Sequence, residues 1–305
     1  MAAGVALEDG AIRLIAANGR VEVDTFRVVG PNLEIAAAGF LGLTRGSASD
    51  LSLDVTATAL DILRPVVDAR PLSIGEGHMS LALVGPYRSA DLSASVSANA
   101  LLFNELQLLG LEMSGTGVLD GLRPASGSLQ ASASGLTTPS ASVRQSDVQL
   151  DYNGEQIVVA LTSDVDQRRT LEINARIDPR PEARLVEMER LNASLDRDIW
   201  SLIAPATIRF GDSIVVDSLD MRAGNQRLFA TGRIGASGEQ SLRMVADGFR
   251  IGTISDLIGR DDLEGTVSGS VDVGGTAARP TFAIEYSSQL SSPTAPSGVL
   301  ALIHI

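Results

Sequence analysis

Apolar residues alternate with polar or small residues along most of the chain. The cleanest stretch runs from Leu171 to Asp178, where Leu171, Ile173, Ala175 and Ile177 are separated by polar side chains. Alternation with period two places successive side chains on opposite faces of an extended strand. The same pattern recurs at residues 51–56, 92–97, 129–134, 148–152, 208–210 and 242–246. It predicts a chain of strands, each with one apolar face.

Dipeptides typical of hairpin turns separate these stretches. They are Asn18-Gly19, Asp120-Gly121, Asn153-Gly154, Gly211-Asp212 and Gly224-Asn225. Asn, Asp and Gly tolerate the positive φ that tight hairpin turns require. The predicted fold class is therefore all-β, with an antiparallel-rich sheet.

Three short segments have a helical pattern instead. Asp196–Ala204 has acidic residues in its first turn, apolar residues after them and Pro205 as a stop. Leu60–Val67 and Thr253–Ile258 are the other two. None of the three predicted helices is long enough to cover a sheet.

The sequence also repeats itself at a spacing of about 190 residues. Residues 21–42 match 214–235 at an offset of 193, residues 51–53 match 242–244 at 191, and Gly85 and Leu92 match Gly275 and Phe282 at 190. We predict one complete β-repeat unit over residues 1–193, a partial second unit over 194–290, and a disordered or non-native tail over 291–305. Such a repeat favours an extended stack of strands over separate compact domains.

The apolar faces of these strands need a cover. Only 4% of the residues are aromatic although 44% are hydrophobic, so the large side chains that usually fill a β-core are scarce. The sheet can fold into tandem sandwiches, close into barrels, or curve into an open groove lined by an external apolar ligand. The apolar residues fill an ordinary core in the first two arrangements and line the groove in the third. The candidate groove residues are Leu51, Leu53, Val55, Leu81, Leu83, Leu92, Val96, Leu171, Ile173, Ile177, Ile208, Phe210, Leu242, Met244, Val271 and Val273.

Composition and motifs argue against several function classes. A net charge of −13 without a basic run argues against a nucleic-acid partner, and the lack of cysteine excludes disulfide scaffolds and cysteine enzymes. His78 and His304 have no companions at metal-ligand spacing, and the Gly211-Asp212-Ser213 triplet has no partner histidine. We therefore predict no catalytic site, no metal and no cofactor.

The order of patterns in the second half resembles a known family. Strand patterns at 215–221, 228–234 and 242–244 are followed by a predicted helix near 254–257 and by a glycine-rich strand at 263–275, which leads into Gly274-Gly-Thr-Ala-Ala-Arg-Pro280. This order resembles the TamB family of translocation and assembly module proteins, within the wider AsmA-like group. Residues 192–205 resemble that family's inter-repeat stretch, and the resemblance covers about residues 15–290.

The resemblance implies a periplasmic protein anchored in the bacterial inner membrane, whose β-repeats form a long groove (a β-taco). It also implies phospholipid transport between the two membranes and, with the outer-membrane partner TamA, assembly of outer-membrane proteins. We expect this chain to be an internal fragment without the anchor, with phospholipid acyl chains as its ligand. Two alternatives stay open: a scaffold that binds client strands of outer-membrane proteins by β-augmentation, and an all-β surface or adhesin-like protein without a lipid role.

Overall fold

The fold is built almost entirely from antiparallel strands. The computed structural model describes residues 8–58, 72–73, 75–103, 105–121, 123–138, 142–166, 168–180, 184–195, 198–252 and 264–291. Twenty strands lie in these residues, and the register of each recorded strand pair is antiparallel. The prediction of an all-β, antiparallel fold is confirmed. The helices predicted at Leu60–Val67 and Thr253–Ile258 lie outside the described residues.

One compact unit comprises Met1–Gly154 with Leu161–Val165. Its strands are β1 (Asp9–Ala17), β2 (Arg20–Gly30), β3 (Leu33–Gly42), β4 (Ala48–Ala57), β5 (Leu72–Ser73), β6 (Glu76–Pro86), β7 (Ala90–Phe103), β8 (Leu106–Asp120), β9 (Arg123–Thr137), β10 (Ser142–Tyr152) and the end of β11 (Ile157–Asp164). They pair as a meander in the order β1-β2-β3-β4-β6-β7-β8-β9-β10, with the two-residue β5 on β7.

The second compact unit comprises Glu155–Ala160 with Asp166–Ile305. Its further strands are β12 (Arg169–Asp178), β13 (Leu185–Leu195), β14 (Asp198–Leu202), β15 (Ala206–Arg209), β16 (Ser213–Ala223), β17 (Gln226–Gly235), β18 (Leu242–Arg250), β19 (Glu264–Thr276) and β20 (Arg279–Ser291). They also form a meander, in which β14 and β15 lie end to end between β13 and β16.

The helix predicted over Asp196–Ala204 is wrong, because its described core forms β14. Asp198 and Trp200 are 5% and 2% exposed, whereas Ile199 between them is 68% exposed. This is the alternation of a strand that is bonded to a neighbour on each side. Pro205 separates β14 from β15 instead of ending a helix.

The deeply buried hydrophobic residues are few and mostly small. They are Leu33, Ala57, Leu83, Ala90, Ala98, Leu108, Ala175, Trp200, Ala206, Ala223 and Val273. Trp200 is the largest fully buried side chain in the described part of the chain. These residues do not amount to the continuous layer of large side chains that fills a β-sandwich.

Strand pairing reproduces the sequence repeat. The β2–β3 register shifts between Val23 and Phe26, and the β16–β17 register shifts between Val216 and Leu219, at the same offset of 193. The β6–β7 and β19–β20 registers also correspond, at an offset of 190. The predicted boundary between repeat units at residue 193 stays a prediction, because the border between the two compact units lies within β11.

Candidate apolar binding face

In the first unit, the alternating apolar residues line up across the strands. Directly opposite residues of an antiparallel ladder point to the same face. Two uncharged rows cross this unit as far as β10. One is Ile12–Phe26–Ala37–Leu53–Leu81–Ala94–Gly115–Leu129–Leu150, and the other is Val28–Ile35–Val55–Met79–Val96–Met113–Ala131–Val148. The face that carries these rows is called the apolar face of the first unit.

The second unit has an apolar face of its own, defined by three shorter rows. They are Leu171–Ala193–Trp200, Ile177–Val186–Ile208–Val216 and Leu219–Ala230–Met244–Val271–Ile284. Every strand of this unit that contains a predicted groove residue contributes to these rows.

A bulge in each unit keeps the apolar face continuous. In β2 the alternation of apolar and polar residues runs up to Val23 and resumes one residue out of phase at Phe26. In β16 it runs up to Val216 and resumes in the same way at Leu219. At both places the register shifts and leaves a two-residue bulge, which returns the next apolar side chain to the same face. The break in period two is therefore a structural feature of the strand and not a loop.

Glycine is required opposite each bulge. Gly39 has a φ of 103° and Gly232 has a φ of 122°. A Cβ atom on either glycine would lie 1.8 Å from a backbone oxygen, that of Asp50 or that of Ser241. Only glycine permits this close approach of the adjacent strand.

All sixteen predicted groove residues lie in the described residues, and most of them are half-buried. Leu83 and Val273 are buried, whereas Phe210 (43%), just beyond the end of β15, and Met244 (40%) are exposed. The half-buried ones are Leu51, Leu53, Val55, Leu81, Leu92, Val96, Leu171, Ile173, Ile177, Ile208, Leu242 and Val271. Most of these side chains are therefore partly open to solvent, and their role in binding a ligand stays a prediction.

Other large apolar side chains on the same faces are still more exposed. They are Ile12, Leu14, Ile214, Ile234, Phe282, Ile284 and Tyr286, which are 40–64% exposed. Exposed apolar side chains that lie side by side, as Phe282, Ile284 and Tyr286 do along β20, are typical of a site that contacts another molecule. These residues are not among the predicted groove residues, although the period-two alternation over 281–286 indicates the last three.

A packed corner closes one end of the apolar face in the second unit. The ring centroids of Trp200 and Phe249 are 5.5 Å apart, and Arg250 pairs with the buried Asp198. Gln226 is 3% exposed, and its Oε1 accepts a hydrogen bond of 2.8 Å from the backbone N–H of Arg250. The sequence pattern does not reveal this corner, because it predicts a helix over Asp196–Ala204, where the structure has β14.

The opposite faces are mainly polar, although Val84 and Ile199, which are 50% and 68% exposed, also lie on them. A row of Asp54–Ser80–Ser95–Ser114–Gln130–Gln149 crosses the first unit, and the hydroxyl oxygens of Ser80 and Ser95 are 2.7 Å apart. A concavity of about 410 Å³ lies on this row. Another, of about 510 Å³, lies on the polar face of β18–β20. No predicted groove residue lines either concavity, so the candidate site is an exposed face and not one of these two cavities.

Charge is arranged in cross-strand pairs on the polar face. In the second unit, Arg190 Nη1 donates to Glu172 Oε1 at 2.8 Å and Asn192 donates to Glu172 Oε2 at 3.1 Å. These hydrogen bonds, first that from Arg190, lower the pKa of Glu172, and Glu172 raises the pKa of Arg190. Ion pairing keeps both side chains charged and directed away from the apolar rows.

The two histidines do not form a site in the described residues. His78 Nδ1 lies 3.3 Å from Thr56 Oγ1 on the polar face, and His304 lies outside the described residues. A search of the described residues finds no group of three or more side chains suited to hold a metal ion. The same residues contain no helix of the length and apolarity needed to span a membrane.

Comparison of the chain with protein-family models, with curated proteins and with solved structures finds no match. The apolar faces are therefore the structural feature that points to a function, and the family resemblance of the sequence stays a prediction.

Proposed function

We propose that this chain is a periplasmic β-groove segment of a TamB-like protein, which shields phospholipid acyl chains as they pass between the inner and outer membranes. In the longer protein, this segment serves outer-membrane assembly together with a TamA-like partner. The observation that carries the proposal is the set of uncharged rows that cross each unit, in which most of the large apolar side chains are only half-buried or are exposed.

Exposure of the apolar face supports a ligand over an ordinary core. A β-sandwich of this sequence would bury Leu53, Ile173 and Met244 under a second layer. Instead, the first two are half-buried and Met244 is 40% exposed. An external apolar ligand supplies the missing cover.

The dimensions of the rows suit an acyl chain. At about 4.8 Å per strand, a row from β2 to β10 extends over roughly 34 Å, whereas one leaflet of a bilayer has about 15 Å of hydrocarbon. Each methylene that leaves water contributes about 0.8 kcal/mol. Such binding needs no polar motif, which agrees with a face that contains none.

Site-specific photo-crosslinking in cell envelopes tests the proposal. The crosslinking residue replaces one apolar-face position at a time, and the controls are the adjacent positions on the polar face. The test positions are Leu53, Ile173 and Met244, and the matched controls are Asp54, Asn174 and Arg243. We expect phospholipid adducts, identified by mass spectrometry, at the test positions and several-fold fewer at the controls. Equal labelling of the two sets would contradict the proposal.

The single tryptophan provides a second test on purified protein. Trp200 lies on the apolar face of the second unit and is the chain's only tryptophan. Phospholipids with brominated acyl chains should quench its fluorescence, whereas lipids brominated in the headgroup should not. Met244→Asp should reduce this quenching and Arg243→Asp should not, provided that both variants keep the β-sheet circular dichroism spectrum.

A further inference from the structure

Two buried hydrogen-bond donors in the packed corner of the second unit have no partner among the described residues. They are the indole Nε1 of Trp200 and the side-chain Nε2 of Gln226, in residues that are 2% and 3% exposed. A buried donor without an acceptor is costly, and folded proteins pair nearly all such groups. Two unpaired donors in one corner therefore indicate a place where an acceptor binds.

Strand register brings the two donors close to each other. The β14–β16 register pairs Ser201 with Arg222, which places Trp200 opposite Ala223. Ala223 in turn pairs with Gln226. Paired residues of an antiparallel ladder point to the same face. The indole and the amide therefore both lie on the apolar face, and between them lies only the methyl group of Ala223.

The two charged side chains of this corner neutralise each other. Asp198 and Arg250 form an ion pair, and the backbone N–H of Arg250 donates to Gln226 Oε1 at 2.8 Å. The second contact fixes the amide of Gln226 and leaves its Nε2 for another acceptor. A phosphate group would call for a cation without a counterion, whereas a neutral carbonyl oxygen needs only N–H donors. The corner therefore suits a neutral oxygen acceptor.

We infer that this corner binds the ester end of a phospholipid, whose carbonyl oxygens accept hydrogen bonds from Trp200 Nε1 and Gln226 Nε2. The acyl chains then extend from the corner over the apolar face of the second unit. This subsite rests on the proposed binding of phospholipid and adds to it the end at which the lipid is held.

Burial of both donors strengthens their preference for a carbonyl group. An exposed donor exchanges a hydrogen bond with water for one with the ligand, so its net gain is small. Trp200 Nε1 and Gln226 Nε2 are already shielded from solvent in the protein without ligand. An ester carbonyl that enters the corner therefore gains the new hydrogen bonds without the cost of removing water from the donors.

The length of an acyl chain fits the distance from the corner to the middle of the apolar rows. Gln226 and Ala230 are four residues apart on β17, which is about 13 Å, and Ala230 pairs with Met244. The hydrocarbon of one bilayer leaflet is about 15 Å thick. An acyl chain whose ester lies at Gln226 therefore reaches Met244, which is 40% exposed, with its methyl end.

A diether lipid tests the inference, because it has the same headgroup and chains but no carbonyl groups. The purified full chain is mixed with diacyl phosphatidylethanolamine or with its dialkyl-ether analogue in the same detergent micelles, and native mass spectrometry measures the bound lipid. We expect the ester lipid to bind roughly three- to tenfold more tightly. Equal binding would overturn the ester subsite and leave the lipid proposal intact, whereas no binding of either lipid would overturn both.

Two substitutions test the assignment of the donors. Gln226→Met and Trp200→Phe each remove one donor and keep a side chain of similar character, so each should reduce the preference for the ester lipid. The matched control is Gln240→Met, since Gln240 is also buried and its amide donates to the backbone oxygen of Gly235 at 3.0 Å. This control should keep the preference. An unchanged preference in both test variants would overturn the assignment, and the comparison of the two lipids on the unchanged chain needs no variant to fold.

Fluorescence of Trp200, the chain's only tryptophan, tests which end of the lipid lies at the corner. Two phosphatidylethanolamines are compared, one with bromine on the acyl carbons next to the ester and one with bromine near the methyl end. Because bromine quenches at short range, the first lipid should quench Trp200 several-fold more strongly than the second. Equal quenching, or stronger quenching by the second lipid, would overturn the inference.

Discussion

The five-strand ladders β2-β3-β4-β6-β7 and β16-β17-β18-β19-β20 have the same pairing but few identical side chains. The bulge of the first strand pair, the registers on either side of it and two positive-φ glycines correspond between the ladders: Gly39 with Gly232, and Gly85 with Gly275. Even the isolated bridge Glu239–Thr276 corresponds to the Ala48–Pro86 pair of the first ladder. The phase of the apolar residues and the glycine opposite the bulge therefore specify the ladder, and most other side chains can change.

One cross-strand ion pair occurs at corresponding positions of the two ladders but is formed by different residues. In the first ladder Arg27 donates to Glu34 at 2.8 Å, and at the corresponding positions of the second ladder Arg227 donates to Asp220 at 2.9 Å. The signs of the two positions are reversed. The position thus favours an opposite-charge pair and not a particular residue.

The ladders differ most at the corner near the end of β18. β4 runs without interruption to Ala57, whereas the β18–β19 register shifts between Ala246 and Phe249, around Gly248 with a φ of 57°. The shift brings Phe249 to Trp200. The second ladder therefore has a filled aromatic corner, and the corresponding part of the first is closed by Leu33 and Ala57.

Trp200→Ala should have the largest effect on this comparison. The substitution leaves a cavity beside Phe249 and should lower the free energy of unfolding by about 3–5 kcal/mol. Urea denaturation followed by far-ultraviolet circular dichroism measures it. Hydrogen exchange should locate the loss in β14–β18 and leave β2–β4 protected. Ile199→Ala is the matched control, since Ile199 is 68% exposed on the other face of the same strand. Equal losses from both variants would disprove a filled corner.

Gly39→Ala and Gly232→Ala should have similar effects on the two ladders. Each added methyl group would meet a backbone oxygen in a positive-φ conformation, so we expect a loss of at least about 2 kcal/mol at either site. Gly46→Ala and Gly211→Ala are controls, because neither glycine has a heavy atom within 4 Å of the added Cβ. If only one of the two test variants loses stability, the bulges are not equivalent.

The reversed ion pair should have a smaller effect. Asp220→Arg should lower the melting temperature by about 1–3 °C, because three arginines, at 220, 222 and 227, then lie together. Adding Arg227→Glu should recover most of the loss, since it creates the polarity that the first ladder has at Arg27 and Glu34. Differential scanning calorimetry measures both steps. No recovery in the double variant would show that the two positions are not interchangeable.

The smallest effect should appear in the pH dependence. The hydrogen bond from Arg227 lowers the pKa of Asp220 below its ordinary 3.8. Stability from a lowered carboxyl pKa is fully present above the ordinary pKa and is lost as pH falls through the folded-state value. Asp220→Asn should therefore be less stable than the unchanged chain at pH 7, and the difference should vanish once the pH falls below the lowered folded-state pKa of Asp220. If the difference in stability persists in acid, its cause is not the ionisation of Asp220.

Period-two alternation is enough to predict the all-β fold and several of its strands. It worked because a strand exposes its two faces alternately whatever its neighbours are, so β4, β7, β12 and β18 could be recognised one at a time. It failed at Asp198–Leu202, where five residues are too few to distinguish a strand from a helical turn. There, hydrogen bonding to β13 and β16 decided the outcome.

The sequence by itself determined the all-β fold, the repeat and the set of side chains that share a face, because each follows from local periodicity or from comparison of the chain with itself. Only the tertiary structure decided how far those faces are covered, where the bulges restore the phase, and that Trp200 fills a corner. These features depend on the register between paired strands, and a one-residue shift in register would reverse the face of every side chain.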